Sequence, residues 1–134
     1  MFKKFTALVI AAVMLFSLSG CGVTAGVQIK ETESQIYSKE DIDSAIAVIL
    51  NYFRDNFDGC VLREIGYAGD EYLDEMKEWQ DTYSADEVII LMSSFYVISD
   101  TEGSLVQGET YTGWNWILSR DTGGRWIHRD HGYG

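Results

Sequence analysis

The sequence predicts an α+β domain, with helices packed on one side of a curved, mainly antiparallel sheet in the order α-β-α-β-β-β. Three patterns predict it. Apolar residues recur at helical spacing between Ile42 and Phe57, a long apolar run covers Val88 to Ile98, and Trp114, Trp116 and Leu118 alternate just before an Asp-Thr-Gly-Gly turn. Helices and strands that segregate along a chain in this way bury their apolar faces against one another in layers.

Ser38 is placed to cap the first helix, with Asp41 three residues on in the position of a capping-box acid. Glu40, Asp41 and Asp43 suit the positive end of the helix dipole. Ile42, Ala45, Ile46, Ile49, Phe53 and Phe57 line the inner face, and Gly59 stops the helix. Cys60 to Tyr67 then reads as a strand. Asp70 can cap a second helix running to about Tyr83, whose apolar side is Leu73, Met76, Trp79 and Tyr83. Its other side, Glu71, Asp74, Glu75, Glu78 and Asp81, reads as a solvated face, because carboxylates on one straight helix cannot wrap a calcium ion.

Val88 to Ile98 is long and apolar enough to be a central strand covered on both faces. Residues 99 to 109, with Asp100, Glu102 and Gly103, lack the alternating acids and distal Glu of an EF-hand and read as a hairpin connection. Thr110 to Arg120 is a strand; Arg125 to about Asp130 returns beside it after the turn at Asp121 to Gly124.

The first 37 residues are different in kind. Lys3 and Lys4 precede an apolar stretch from Phe5 to about Phe16, which ends in Leu18-Ser19-Gly20-Cys21. The stretch is short of the roughly 20 residues needed to span a bilayer core. The order of basic head, apolar core and small residues is that of a secretory signal, and the Leu-Ser-Gly-Cys run resembles the lipobox of bacterial lipoproteins. That resemblance implies a signal peptide over residues 1–20, cleavage before Cys21, and a diacylglycerol on the Cys21 thiol. Two acyl chains hold stably, at about 0.8 kcal/mol per buried CH2. Residues 22–37 have no hydrophobic period and read, with Cys21, as a flexible tether, leaving residues 38–134 as a single domain.

The chain has 134 residues, with 10 basic and 21 acidic ones and a formal net charge of −11. Removal of Lys3 and Lys4 with the signal leaves 8 and 21, a net of −13. Such a charge is repelled by phosphate backbones, so nucleic acid is not an expected partner. With Cys21 lipidated, Cys60 has no second cysteine to bond, and its place at the head of an apolar strand suits a buried packing thiol.

No nucleophile elbow, phosphate-binding glycine loop or paired cysteines appear. The candidate proton-moving groups are His128, Asp130 and His131. Along a regular strand His128 and Asp130 share one face and His131 takes the other. No metal site and no cofactor are expected, since a third ligand is not visible. Tyr111, Trp114, Trp116, Trp126 and Tyr133 cluster in the final hairpin; most read as cross-strand pairs, with Trp114 or Tyr111 the candidates for an exposed binding ring.

The runs Tyr111-Thr112-Gly113-Trp114-Asn115-Trp116-Ile117-Leu118-Ser119-Arg120, Gly124-Arg125-Trp126 and Asp130-His131-Gly132-Tyr133 resemble a group of uncharacterised lipoproteins of gut-dwelling Gram-positive bacteria. Their domain is similar to the nuclear-transport-factor-2-like or cystatin-like folds. The resemblance covers residues 38–134 and departs from those cone folds in the strand between the two helices. It implies a cavity between the bent sheet and the first helix, and a location on the outer face of a Gram-positive cell membrane.

The expected function is that of a membrane-anchored extracytoplasmic lipoprotein acting as a non-enzymatic ligand- or protein-binding module. Its partners are then the membrane, through Cys21, and a small ligand or protein. Two alternatives stand beside it: a small-molecule enzyme using Asp130 and His128 in a cone cavity, and a glycan-binding surface built on Trp114 and Tyr111.

Overall fold

The computed structural model describes residues 22–99 and 103–133. The signal peptide expected over residues 1–20, its Cys21, and the loop acids Asp100 and Glu102 lie outside them. The elements are β1 (Gln28–Lys30), α1 (Lys39–Asn56), β2 (Cys60–Tyr67), a 3-10 turn (Asp70–Tyr72), α2 (Leu73–Tyr83), β3 (Glu87–Val97), β4 (Thr110–Arg120) and β5 (Ile127–Tyr133). The strands form one open sheet in the order β1-β2-β3-β4-β5. All pairs are antiparallel except β1 with β2. The protein is therefore α+β, as its sequence predicts.

Helix α1 forms for the expected reasons. Ser38 accepts the Asp41 N–H at its N-terminus, and Ala45, Ile46, Ile49 and Phe53 are buried along one side. Burial would raise the Asp41 pKa, but Arg120 and the hydroxyl and backbone N–H of Ser38 hold it below its ordinary value, so the acid serves the cap as well. Its carboxylate lies 3.1 Å from the Arg120 guanidinium, which also pairs with Glu87 at 3.3 Å and stacks 4.1 Å from the Trp126 ring. Trp126 in turn donates its indole N–H to the Asp41 carbonyl. The start of α1 is thus fastened to β3, β4 and the turn before β5 through a single arginine.

Strand β3 accounts for the layering. Ile89 and Leu91 pair with Leu118 and Trp116, whereas Val88 and Ile90 pair with Ser119 and Ile117; all eight are buried. The first set faces α1, where Phe53 and Phe57 meet Trp116. The second set faces α2, whose Trp79 lines a groove with Ile117. The two helices therefore take opposite faces instead of sharing one, because a strand apolar on both sides needs cover on both. Irregular register after Leu62, after Ser93 and between Ile117 and Leu118 bends the sheet.

Residues 22–37 are not the free tether that their composition suggests. Gly22 donates to the Arg54 carbonyl, Val23 bridges to Val61, and β1 adds a parallel edge strand against Glu64 to Gly66. Asp70 completes the attachment. It does not cap α2; its carboxylate takes the Ser34 hydroxyl and the Gln35 N–H, both at 2.7 Å, and the Tyr67 hydroxyl at 2.8 Å. Tyr37 then enters the core and donates its hydroxyl to the Val88 carbonyl; burial pushes its pKa up to about 12.

Gly22 is fitted to this docking by its lack of a side chain. A Cβ there would stand 2.2 Å from the Phe53 carbonyl oxygen and 3.0 Å from the Phe53 ring. Gly22→Ala is expected to destabilise the fold by about 1–3 kcal/mol, the cost of overpacking a close contact. Urea unfolding checks it, and amide exchange at Val23 and Leu62 should accelerate in the same variant.

Candidate functional site

The final hairpin holds the candidate residues, and its geometry turns on one extra residue. Leu118 pairs with His128 and Ile117 with Asp130, so Arg129 is bulged out of register. A bulge shifts the alternation of everything after it by one position. His131, opposite Trp116, therefore joins His128 on the α1 face, and Asp130, opposite Ile117, turns to the α2 face. The pairing expected from a regular strand is corrected: the two histidines come together and the acid is separated from them by the sheet.

On the α1 face the imidazoles stack with centroids 5.2 Å apart, and His128 Nε2 lies 3.2 Å from His131 Nδ1 and from the Asp130 carbonyl oxygen. Aromatic rings enclose them. Tyr52 meets His128 at 4.2 Å and His131 at 5.8 Å; Trp116 meets them at 5.5 and 5.1 Å; Phe57 and Trp114 border His131 at 5.5 and 6.0 Å. Tyr52 has no place among the inner-face residues read from the sequence. The signal for it is its position three residues after Ile49 and beside Phe53, which widens the apolar stripe.

Burial, and for His128 also the neighbouring His131, holds both imidazoles below their ordinary value near 6.5. With a proton on His128 Nε2, that nitrogen donates and neutral His131 accepts through Nδ1. Protonation of both makes both donors, and the contact becomes a repulsion between two half-buried cations. Burial holds the pair toward its neutral form while the Asp130 charge opposes this, and among the described residues no carboxylate oxygen is hydrogen-bonded to either ring. The space between α1 and the sheet, where a cone cavity is expected, is filled among the described residues by Phe53, Phe57, Phe95 and Trp116.

Tyr111 and Trp114 are half-buried. Tyr111 stacks on Phe95 at 5.3 Å and accepts the Val106 N–H at its hydroxyl. Trp114 packs edge-on against Phe95, Tyr111 and Tyr133. Both serve the core wall before they serve any surface. Cys60 is also interior, 1% exposed.

On the α2 face Asp130 enters a groove of 640 Å³ between α2 and the last two strands, together with Glu75, Glu78, Trp79, Asn115, Ile117 and the end of β5 from His131 to Tyr133. Glu75 and Glu78, three apart on a helix, project to the same side. Among the described residues none of the three carboxylates is in a salt bridge, and Asp130 Oδ1 accepts the N–H of its neighbour His131. Arg129 near the Tyr83 end donates to Ser119 Oγ and lies over the Tyr83 ring at 5.5 Å. No group of three His, Cys, Asp or Glu among the described residues is arranged to hold a metal ion. No described helix is long and apolar enough to cross a membrane.

No family model, curated protein or solved structure matches the chain.

The histidine pair sets a pH dependence. Because both folded pKa values are depressed, the unfolded chain binds more protons below about pH 6.5, the ordinary imidazole range. Stability is therefore full above that pH and is lost as pH falls through the folded values, with a slope approaching about 1.4 kcal/mol per pH unit for each proton taken up. His131→Phe keeps a ring in the cage and removes one of the two protons. Urea unfolding between pH 7.5 and 4.5 should show that slope flattened by about half in the variant.

Proposed function

We propose that the protein is a lipid-anchored extracytoplasmic binding module without catalytic activity. The observation that carries the non-enzymatic role is the division of the candidate acid–base set by the sheet. Asp130 lies opposite Ile117 and the histidines lie with Trp116, so no base stands within hydrogen-bond reach of a carboxylate that could orient it. A histidine pair held inside an aromatic cage serves packing, and recognition falls to the surface, where one groove lies on the α2 face and another between residues 29–39 and the start of α1.

The anchor in this proposal is a diacylglycerol on Cys21, after cleavage of residues 1–20. Gly22 and Val23 are docked on Arg54 and Val61, so the lipid would leave the fold directly at the end of α1. The domain would then rest on the bilayer with that end down, with no free tether to lift it. The net charge of −13 that remains after cleavage disfavours anionic headgroups and nucleic acid as the thing recognised, which leaves a small ligand or a protein.

One sample tests both parts. The full chain is expressed in a bacterium with lipoprotein processing, extracted in non-ionic detergent, and weighed in denatured and native states. The denatured mass is expected to equal residues 21–134 plus a diacylglyceryl group, and Cys21→Ser should retain the 20-residue leader and lose the lipid. A reproducible native excess over the denatured mass supports a bound ligand. A denatured mass of the unprocessed chain overturns the anchor, and a substrate turnover abolished by His128→Ala and by Asp130→Asn overturns the binding role.

A further inference from the structure

The two histidines meet in a way that packing alone does not require. Their ring centroids are 5.2 Å apart and the rings approach through their nitrogens, with His128 Nε2 3.2 Å from His131 Nδ1 and 3.2 Å from the Asp130 carbonyl oxygen. Between neutral rings one proton occupies this gap, the one on His128 Nε2, and two acceptors share it. A well-made N–H bond is aimed at one acceptor at about 2.9–3.0 Å. Both contacts here are longer, so the proton serves neither acceptor fully. Three electron-pair donors stand together at a place where a single proton matches them poorly.

A divalent transition ion matches them better. Such an ion holds imidazole nitrogens at about 2.0–2.1 Å, and two nitrogens at that distance from one centre stand about 2.9 Å apart at a right angle and about 3.3 Å apart at the tetrahedral angle. The observed 3.2 Å lies between those limits, so the rings chelate with almost no movement. The Asp130 carbonyl stands at the same separation from Nε2. It supplies a third donor from the main chain, so no trio of His, Cys, Asp or Glu side chains is called on. Both rings are half exposed on the last strand of the sheet, and water can fill the remaining positions. Tyr52 from α1 and Trp116 from β4 press on both rings and fix their orientation, which is the preorganisation a chelate needs.

We infer that His128 Nε2, His131 Nδ1 and the Asp130 carbonyl oxygen form a site for a divalent transition-metal ion. Two imidazoles and a carbonyl suit copper(II), nickel(II) and zinc, and copper(II) is bound most tightly of the three by the general order of stability. Magnesium, which demands an octahedron of oxygens, is not taken. Binding uses the tautomers that free the facing nitrogens: the His128 proton moves to Nδ1 and His131 carries its proton on Nε2. Both rings stay neutral and no electron is transferred. The site goes beyond the binding role proposed above and does not depend on it.

The experiment is titration of the full chain in non-ionic detergent, near neutral pH, with copper(II) chloride, followed by tryptophan fluorescence and by electron paramagnetic resonance. Trp116 lies 5.5 and 5.1 Å from the two imidazoles between ring centroids. Copper(II) should therefore quench its emission, saturating at one ion per chain, with a resonance split by two histidine nitrogens. Nickel(II) and zinc should compete more weakly, and magnesium not at all. His128→Phe and His131→Phe each keep a ring in the cage. Each should weaken binding about a hundredfold, because the remaining imidazole loses its chelate partner, while Glu78→Gln in the acidic groove leaves the affinity unchanged. Labelling the unmutated chain with ¹⁵N-histidine should alter the splitting, which decides the matter even where a variant does not fold. Absence of saturable binding overturns the inference, as does a resonance split by one nitrogen or by none. Undiminished copper affinity in the folded double variant, His128→Phe with His131→Phe, overturns it as well.

Discussion

Strand β3 is apolar on both of its faces, and the arrangement of the other elements answers that constraint. Ile89, Leu91 and Phe95 require one layer of cover; Val88 and Ile90 require another. Helix α1 with its run of Ile and Phe is the larger cover, and α2 is the smaller one, with Met76 its one buried residue. Fully burying a side chain of the Leu, Ile or Phe class is worth about 1.5–3 kcal/mol, so leaving either face of β3 open would cost more than a domain of this size can spare. Among the described residues the same close packing fills the space under α1 with Phe53, Phe57, Phe95 and Trp116.

From this layering comes the separation of chemistry in the last hairpin. The bulge at Arg129 decides which side chains join which layer. On the α1 side the two histidines complete an aromatic wall; on the α2 side Asp130 is delivered to a groove that already has two helix acids. One bulged residue thereby parts the His-Asp-His side chains into a packed pair and an open acidic groove, which stay joined through the His131 N–H and the Asp130 carbonyl. The Arg120 junction, which ties α1 to β3, β4 and Trp126, holds α1 in register over the hairpin so that the histidine cage closes.

Much of the fold is legible in the residues themselves. The Cys60–Tyr67 and Thr110–Arg120 strands have the predicted bounds because turn residues border them and their side chains alternate. The Ser38 cap and the inner face of α1 follow from spacing alone. What escapes is carried by the backbone or by distant partners. Strand β1 has three exposed residues, so no apolar pattern marks it; parallel ladder bonds hold it, and Asp70 holds Ser34 and Gln35 just after it, 36 and 35 residues away in the chain. The bulge at Arg129 has no compositional sign, and it moves His131 and Asp130 to faces opposite to those that simple alternation assigns. The acids of α2 are exposed, as a solvated face requires, and only the bulge in β5 brings Asp130 across from Glu75 and Glu78.

The central claim is that the sheet divides Asp130 from the two histidines. Nuclear Overhauser contacts in the ¹³C-labelled protein test it most directly. The account predicts contacts from the Tyr52 ring to both His128 and His131, and none to the Asp130 side chain. Contacts from Tyr52 to Asp130 with His131 absent from the same neighbourhood would restore the regular alternation and contradict the account.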